Sequence, residues 1–409
     1  MRVSIAHPTG NANVRNAVEG LLQAGLLGSF YTTIALFPGT LAYGISGVGP
    51  LKEFRKRTYA AALKPYTQAY PANELCRLLS EKAKLTSFVK HENGRFCIDR
   101  IYHALDKKVA RNTKAFDAIY AYEDGALASF QAAKPNIRCL YDLPIGYWRA
   151  MHQLLAAERI NRPEWSATLT GLKDSDRKLR RKDAELALAD HIFVASTFTK
   201  SSLALYPGKL PPIDVIPYGF PEIANGKPYS ILSGQKLKLL FVGGLSQRKG
   251  IANVLEAVDY LKPYVELTIV GRKTAEKCVP LEAGLQQHRW IPSLPHRDVI
   301  ALMREHDVLV FPSLFEGFGL VITEAMSQGT PVITTHRTAG PDLITHDDNG
   351  WLVDAGSTPA LIAQIERLLS NPMMIKANGL AALESARKRP WPVYGRELAE
   401  KIKEVTVTG

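Results

Sequence analysis

The sequence predicts an α/β protein of two doubly wound domains facing a cleft, and three observations predict it. Short apolar runs alternate with helix-patterned stretches along most of the chain, as strands joined by crossover helices do in parallel sheets. The length, 409 residues, exceeds what a single core usually organises. Midway, Pro217 to Gly234 holds three prolines and three glycines and breaks the alternation, which marks a linker.

The first half opens on a strand, Val3 to Ala6, then the turn Pro8-Thr9-Gly10-Asn11 and a helix through Val14, Val18, Leu21 and Leu22. Gly28 to Thr33 is the next strand, whereas residues 36 to 115 read as helical or irregular. Ala118 to Tyr122 and Arg138 to Tyr141 are strands running into Glu123-Asp124 and Asp142. Residues 150 to 188 are mostly helical, and His191 to Ala195 and Asp214 to Ile216 close this half as strands. Beyond the linker, strands are expected at Lys238 to Val242, Val265 to Val270, Asp307 to Phe311 and Pro331 to Thr334. Helices follow over 359 to 370, 375 to 387 and 396 to 404.

Residues 311 to 331 carry most of the functional signal. The apolar run ending at Phe311 enters a glycine-rich turn, and Leu320, Glu324, Ala325 and Gln328 then fall at helical spacing until Gly329-Thr330-Pro331 stops the helix. Glycines let the chain pass close to a ligand, and free amides at a helix start attract anions. Glu316 and Glu324 stand eight positions apart, so both stay near one face and can grip two ends of an elongated polar molecule.

The wording Phe315-Glu316-Gly317-Phe318-Gly319, followed by Glu324-Ala325-Met326, resembles the E-x7-E signature of retaining glycosyltransferases of family 4. The resemblance runs over most of the chain and is strongest between about 238 and 354. It implies the GT-B architecture, two Rossmann-like domains, and transfer of a sugar from a nucleoside-diphosphate sugar. It assigns 1–218 to the acceptor and 219–390 to the donor, with 391–409 crossing back to the first domain. Phe241 to Gly250 is similar to the family's phosphate-binding turn. Gly243 and Gly244 would approach the diphosphate, with Arg248 and Lys249 as cations, though the family often has an Arg where Gly244 stands. By the same resemblance Arg272 lies beside the nucleotide and Trp290 to Pro292 borders the base. Glu324 would bind the ribose, Glu316 the sugar hydroxyls, and the amides of Phe318, Gly319 and Leu320 the sugar and phosphates. Gly10 and Asn11 would face the diphosphate across the cleft. The family's histidine on the acceptor side has no counterpart in Tyr120 to Asp124 or Leu140 to Pro144, so Glu123, Asp124, Asp142 or His152 inherits that role. His7, ending the first strand, is a further candidate. Asp174-Ser175-Asp176 has the spacing of a metal-holding acid pair but sits in a basic, helix-rich stretch, and neither metal nor cofactor is expected.

Charge is divided unevenly. Residues 1–218 carry 30 Lys and Arg against 19 Asp and Glu, and residues 219–409 carry 21 against 20, which accounts for the net +12. Basic blocks such as Leu51 to Tyr59 favour an anionic partner. Residues 45–65 combine them with Val48, Leu51, Phe54, Tyr59 and Leu63, as a basic amphipathic helix lying on an anionic membrane surface would. The expected setting is the cytoplasmic face of the plasma membrane, with a lipid-linked glycan of surface polysaccharide as acceptor. No run of about 18 apolar residues predicts a membrane span, the start lacks the apolar core of a signal peptide, and Cys76, Cys97, Cys139 and Cys278 lie far apart. The alternatives are a transferase for a soluble acceptor, an epimerase of the same architecture, and a basic nucleic-acid-binding protein. No nucleic-acid motif accompanies the charge, so a nucleic-acid partner is not expected.

Overall fold

Residues whose backbone alternates between buried β-branched runs and amphipathic helices build two parallel sheets in this computed structural model, which describes residues 1–47, 49–229 and 235–407. The last five residues of the expected linker, 230–234, lie outside the described residues, as does Val48. The first sheet contains β1 (Val3–Ala6), β2 (Leu27–Thr32), β3 (Thr67–Ala69), β4 (Ala118–Tyr122), β5 (Arg138–Leu143), β6 (His191–Val194) and β7 (Ile213–Val215), in the order β3-β2-β1-β4-β5-β6-β7. The second contains β8 (Leu237–Val242), β9 (Val265–Val270), β10 (Arg289–Ile291), β11 (Val308–Phe311), β12 (Val332–Thr335) and β13 (Trp351–Val353), in the order β10-β9-β8-β11-β12-β13. Every strand pair is parallel. Strand order reverses between β1 and β4 in one sheet and between β8 and β11 in the other, and the crevice at such a reversal is where open parallel sheets bind ligands. The glycine-rich turns after β1, β8 and β11 all open at these two points.

Three strands were not expected: β3, β10 and β13. Each has three residues and lies at a sheet edge, too short to show a periodicity.

The long basic helix expected over 45–65 does not form. A five-residue helix (Leu41–Ile45) is followed by two 3₁₀ runs, Gly49–Arg57 and Ala61–Tyr66. Proline at position 65 and the bridge of Thr58 to Leu36 interrupt the pattern, and Tyr59 and Leu63 are 3% and 0% exposed, inside the core of the first domain.

The chain crosses between the two sheets twice at one place. Phe220 N–H donates to the Arg389 carbonyl at 2.9 Å. The Arg389 side chain reaches the Pro217 carbonyl (3.1 Å) and the Glu397 carboxylate (3.0 and 2.7 Å). The final helix, Trp391–Val407, then lies against the helix Ala12–Gln23 of the first domain. The two meet where neither has a side chain: a Cβ at Gly20 would sit 2.1 Å from the Gly395 carbonyl oxygen. Tyr394, Leu398, Ala399 and Ile402 bury the seam.

A second connection is made by the 3₁₀ run Pro163–Thr168, which follows the helix Trp148–Asn161 out of the first domain and packs on the second. Trp165, 4% exposed, is part of the core that includes Phe241 and Leu281. Arg162 Nη2 bonds the Glu256 carboxylate at 2.7 Å, and Thr168 Oγ1 accepts from Gln247 N at 3.0 Å.

Candidate functional site

The turn after β11 is built by exclusion of side chains. Gly317 faces the loop after β5, and a Cβ there would lie 2.1 Å from the Pro144 carbonyl oxygen, so only glycine fits. Gly319 takes a left-handed φ of +87° as the N-cap of the helix Leu320–Ser327, whose first amides have no intrahelical partners. Phe318 turns its ring inward, 4.8 Å from that of Tyr218, and Leu320 packs against the same core, so these two offer only their backbones.

Glu316 is where the charges converge. Its Oε2 accepts from Arg248 Nη1 at 3.2 Å and from Lys249 Nζ. Arg248 Nη1 also donates to the Phe315 carbonyl at 2.7 Å, tying the turn after β8 to the turn after β11. The Lys249 ammonium stands 4.8 Å over the Phe311 ring. Burial pushes the Glu316 carboxyl up, but Lys249 and Arg248 outweigh it and hold the group below the usual carboxylate range. Burial dominates at Lys249, whose ammonium is pushed below its ordinary value although Glu316 opposes the shift. A buried, carboxylate-held ammonium is a cation ready to accept a second anionic partner. Arg248 and Lys249 both reach Glu316 from one turn, the one in which Gly244 stands.

Gly243 and Gly244 end β8 within this turn, and the Lys249 stem runs along Gly243. Arg272 and Pro292 follow β9 and β10 on the same edge, both exposed. Trp290 is part-buried; its Nε1 donates to the Gly271 carbonyl at 2.9 Å and its ring receives Lys273, so it shapes the turn that carries Arg272. Glu324 pairs with His296 (3.0 Å), which raises the histidine's pKa. Gly10 and Asn11 sit across the cleft at the end of β1, Gly10 with φ +62° and Asn11 exposed.

The acceptor-side candidates are enclosed. Asp142 is 4% exposed, bonded to the Tyr120 hydroxyl, and burial raises its pKa to about 7. Glu123, 9% exposed, holds Lys182 at 2.8 Å. Both carboxylates are thus occupied by partners within the first domain. Asp124 takes part in the same network, 3.7 Å from both Lys178 and Lys182. His7 Nδ1 accepts from the amides of Thr9 and Gly10 (3.1 Å each), and burial drops its pKa to about 3, so it is a neutral brace for the turn. His152 packs on Trp148. Asp174 meets His91 (2.9 Å) with Glu92 nearby, a grouping of metal-ligand type, yet Lys178 stands 3.3 Å from the same carboxylate and supplies its positive charge.

Sequence reading missed the residues that dock the signature turn onto the first domain. Ser196, the N-cap after β6, and Thr199 (3.0 Å) both donate to the Gly317 carbonyl, and Thr197 N donates to Asp342 at 3.0 Å. Ser196 is visible in the sequence as a helix start, but nothing local marks it as a partner of residue 317.

With the geometry in place, comparison with known proteins shows what the chain is similar to. Residues 227–385 match the model of glycosyl transferases group 1. The matched stretch, within the second domain, is thus similar to the group 1 glycosyl transferases. Over 177 residues the chain is 30% identical to phosphatidyl-myo-inositol mannosyltransferase of Mycobacterium leprae, covering 42% of this chain and 47% of that one. The chain thus matches under half the length of this curated relative. Across both domains the fold is that of the GT-B enzymes. Sucrose-phosphate synthase from Thermosynechococcus elongatus superposes with a TM-score of 0.66 at 20% identity, covering 100% of each chain. Anabaena HepE in complex with UDP-glucose gives 0.61 at 17%, covering 99% of this chain and 100% of that one. The matched residues include Arg248, Lys249 and Glu316, and the first domain packs against the neighbouring Gly317.

Proposed function

We propose that this protein is a retaining glycosyltransferase, independent of metal, that moves a sugar from a nucleoside-diphosphate sugar to an acceptor hydroxyl. The observation that carries the reading is the meeting of Arg248, Lys249 and Glu316 at the strand-order reversal of the second domain. A departing nucleoside diphosphate gains charge as its bond to the sugar breaks, and two fixed cations favour that state over the bound substrate. Glu316 takes the sugar hydroxyls and Glu324 the ribose. The acceptor oxygen bonds to the anomeric carbon on the face the phosphate leaves, and the leaving phosphate oxygen takes the acceptor's proton. HepE, of the same fold, was crystallised with UDP-glucose, which supports this class of donor.

The acceptor in this reading is a lipid-linked glycan of surface polysaccharide, reached from the cytoplasmic face of the membrane. In place of the expected amphipathic helix, exposed Leu41 (88%) and Ile45 (61%) share one short helix. Arg55 lies over Tyr43 of that helix, so an apolar tip and a cation stand together. Among the described residues no helix is long and apolar enough to cross a membrane.

The test is a panel of UDP- and GDP-sugars, scored for binding and for nucleotide release, with the anomeric configuration of any product read by NMR. Binding of one donor with a retained product supports the reading; failure to bind any nucleotide sugar rejects it, and an inverted product rejects retention.

A further inference from the structure

The excess positive charge of the first domain is not spread over its surface. Two helices of that domain, Ile98–Ala110 and Asp176–Leu188, flank a cavity of about 920 Å³, with Leu127 in its lining. One helix contributes Arg100 and Lys107, seven residues and two turns apart on one face; the other contributes Arg177, Arg180 and Arg181, and Arg95 closes the group. Arg181 is neutralised by Asp106 (2.9 Å) and Glu185 (3.2 Å). Among the described residues no ion pair holds the other five. The acids in the lining are already used, Asp99 by Lys178 (2.8 Å) and Glu92 by the Ser175 amide (2.7 Å). Like charges set along two facing helices repel unless a counter-anion sits between them.

The groove has a defined orientation. Both helices run back along the sheet, so their first residues stand at the carboxyl ends of the strands. Lys178, in the lining, is 3.7 Å from Asp124 in the loop after β4. One end of the groove therefore abuts the cleft, and the other lies out on the helical layer.

We propose that this groove binds a phosphate or diphosphate group of the acceptor, so that the acceptor is a phosphorylated molecule whose hydroxyl reaches the cleft while its charged group rests between the two helices. The acceptor's identity rests on the glycosyltransferase reading; the binding of a diphosphate does not. Four guanidinium groups suit this role because each presents a planar fork of donors to phosphate oxygens.

Calorimetry on the full chain tests it, with UDP present in excess to occupy the donor site, using inorganic pyrophosphate and a soluble prenyl diphosphate as separate probes. The expected result is one bound equivalent, weakened about tenfold or more in the variant Arg100→Ala/Lys107→Ala/Arg177→Ala/Arg180→Ala, as loss of several charge-assisted bonds requires. UDP affinity should stay within about twofold, because these exposed side chains touch nothing at the Glu316 cluster. A prenyl diphosphate that binds more tightly than pyrophosphate identifies a lipid carrier; equal affinities identify the bare diphosphate group. Absence of binding by either probe with UDP present, or binding unchanged in the variant, overturns the proposal. If UDP fails to bind while pyrophosphate does, the donor reading falls and the groove stands.

Discussion

At the scale of residues, the site depends on one carboxylate holding two cations. In the proposed transfer, Lys249→Ala removes a donor aimed where charge develops, and turnover should fall about 10²- to 10³-fold, the usual cost of losing such a group. Glu316→Gln keeps the shape but frees both cations, and a fall of similar order is expected. Circular dichroism and thermal melting show whether the fold survives; wild-type turnover in both variants would falsify the assignment. Asp142 makes a separate prediction. Its folded pKa is about 7, above the ordinary carboxyl value near 4, so folding takes up a proton. The stability it contributes is complete at low pH and is lost as pH rises towards 7. Asp142→Asn does not titrate and still accepts from Tyr120, so its melting temperature should gain on wild type between pH 5 and pH 8. Parallel curves across that range would show that Asp142 is not the group responsible.

At the scale of elements, the turn after β11 is held in place by the first domain. Gly317→Ala places a methyl 2.1 Å from the Pro144 carbonyl oxygen and separates Ser196 and Thr199 from the carbonyl they hold. The expected outcome is a loss of turnover with little change in UDP affinity, since the cations lie on the other turn; undiminished turnover would mean that this contact plays no part. What could be read from the sequence divides at this level. Ten strands were legible because buried parallel strands are continuous apolar runs, and the 311–331 signature was legible because its strand, turn and helix are contiguous. The three-residue edge strands had no pattern to show. Residues 45–65 misled because the spacing of Tyr59 and Leu63 fits a helix face, whereas their rings and methyls fill a core that only the folded first sheet creates. The docking by Ser196 and the approach of Trp165 to the second core depend on contacts across more than 70 residues, beyond any local pattern.

At the scale of the whole molecule, charge and exposed apolar groups gather on the first domain, and membrane attachment should follow that division. Vesicles containing anionic lipid should sediment the protein at low salt and release it at high salt, because each surface cation contributes only about 1 kcal/mol. Leu41→Ser/Ile45→Ser should weaken that binding further. Equal sedimentation with neutral vesicles, or none with anionic ones, would remove the membrane from the proposal.

The crossing at Phe220 and Arg389 has a consequence for the order in which the protein can be made. Because the chain goes out and returns at one place, the second domain is an insertion within the first, and the helix that seals the first domain is synthesised after the inserted domain. On the ribosome the inserted domain can close on itself while its host still lacks a wall. Removal of residues 391–409 should therefore unravel the first domain, not the second, which lies just before the cut. Hydrogen exchange would show it, with amides of β1 and the helix Ala12–Gln23 deprotected while β8 and β11 stay slow; slow exchange throughout would mean that the host closes without its last helix.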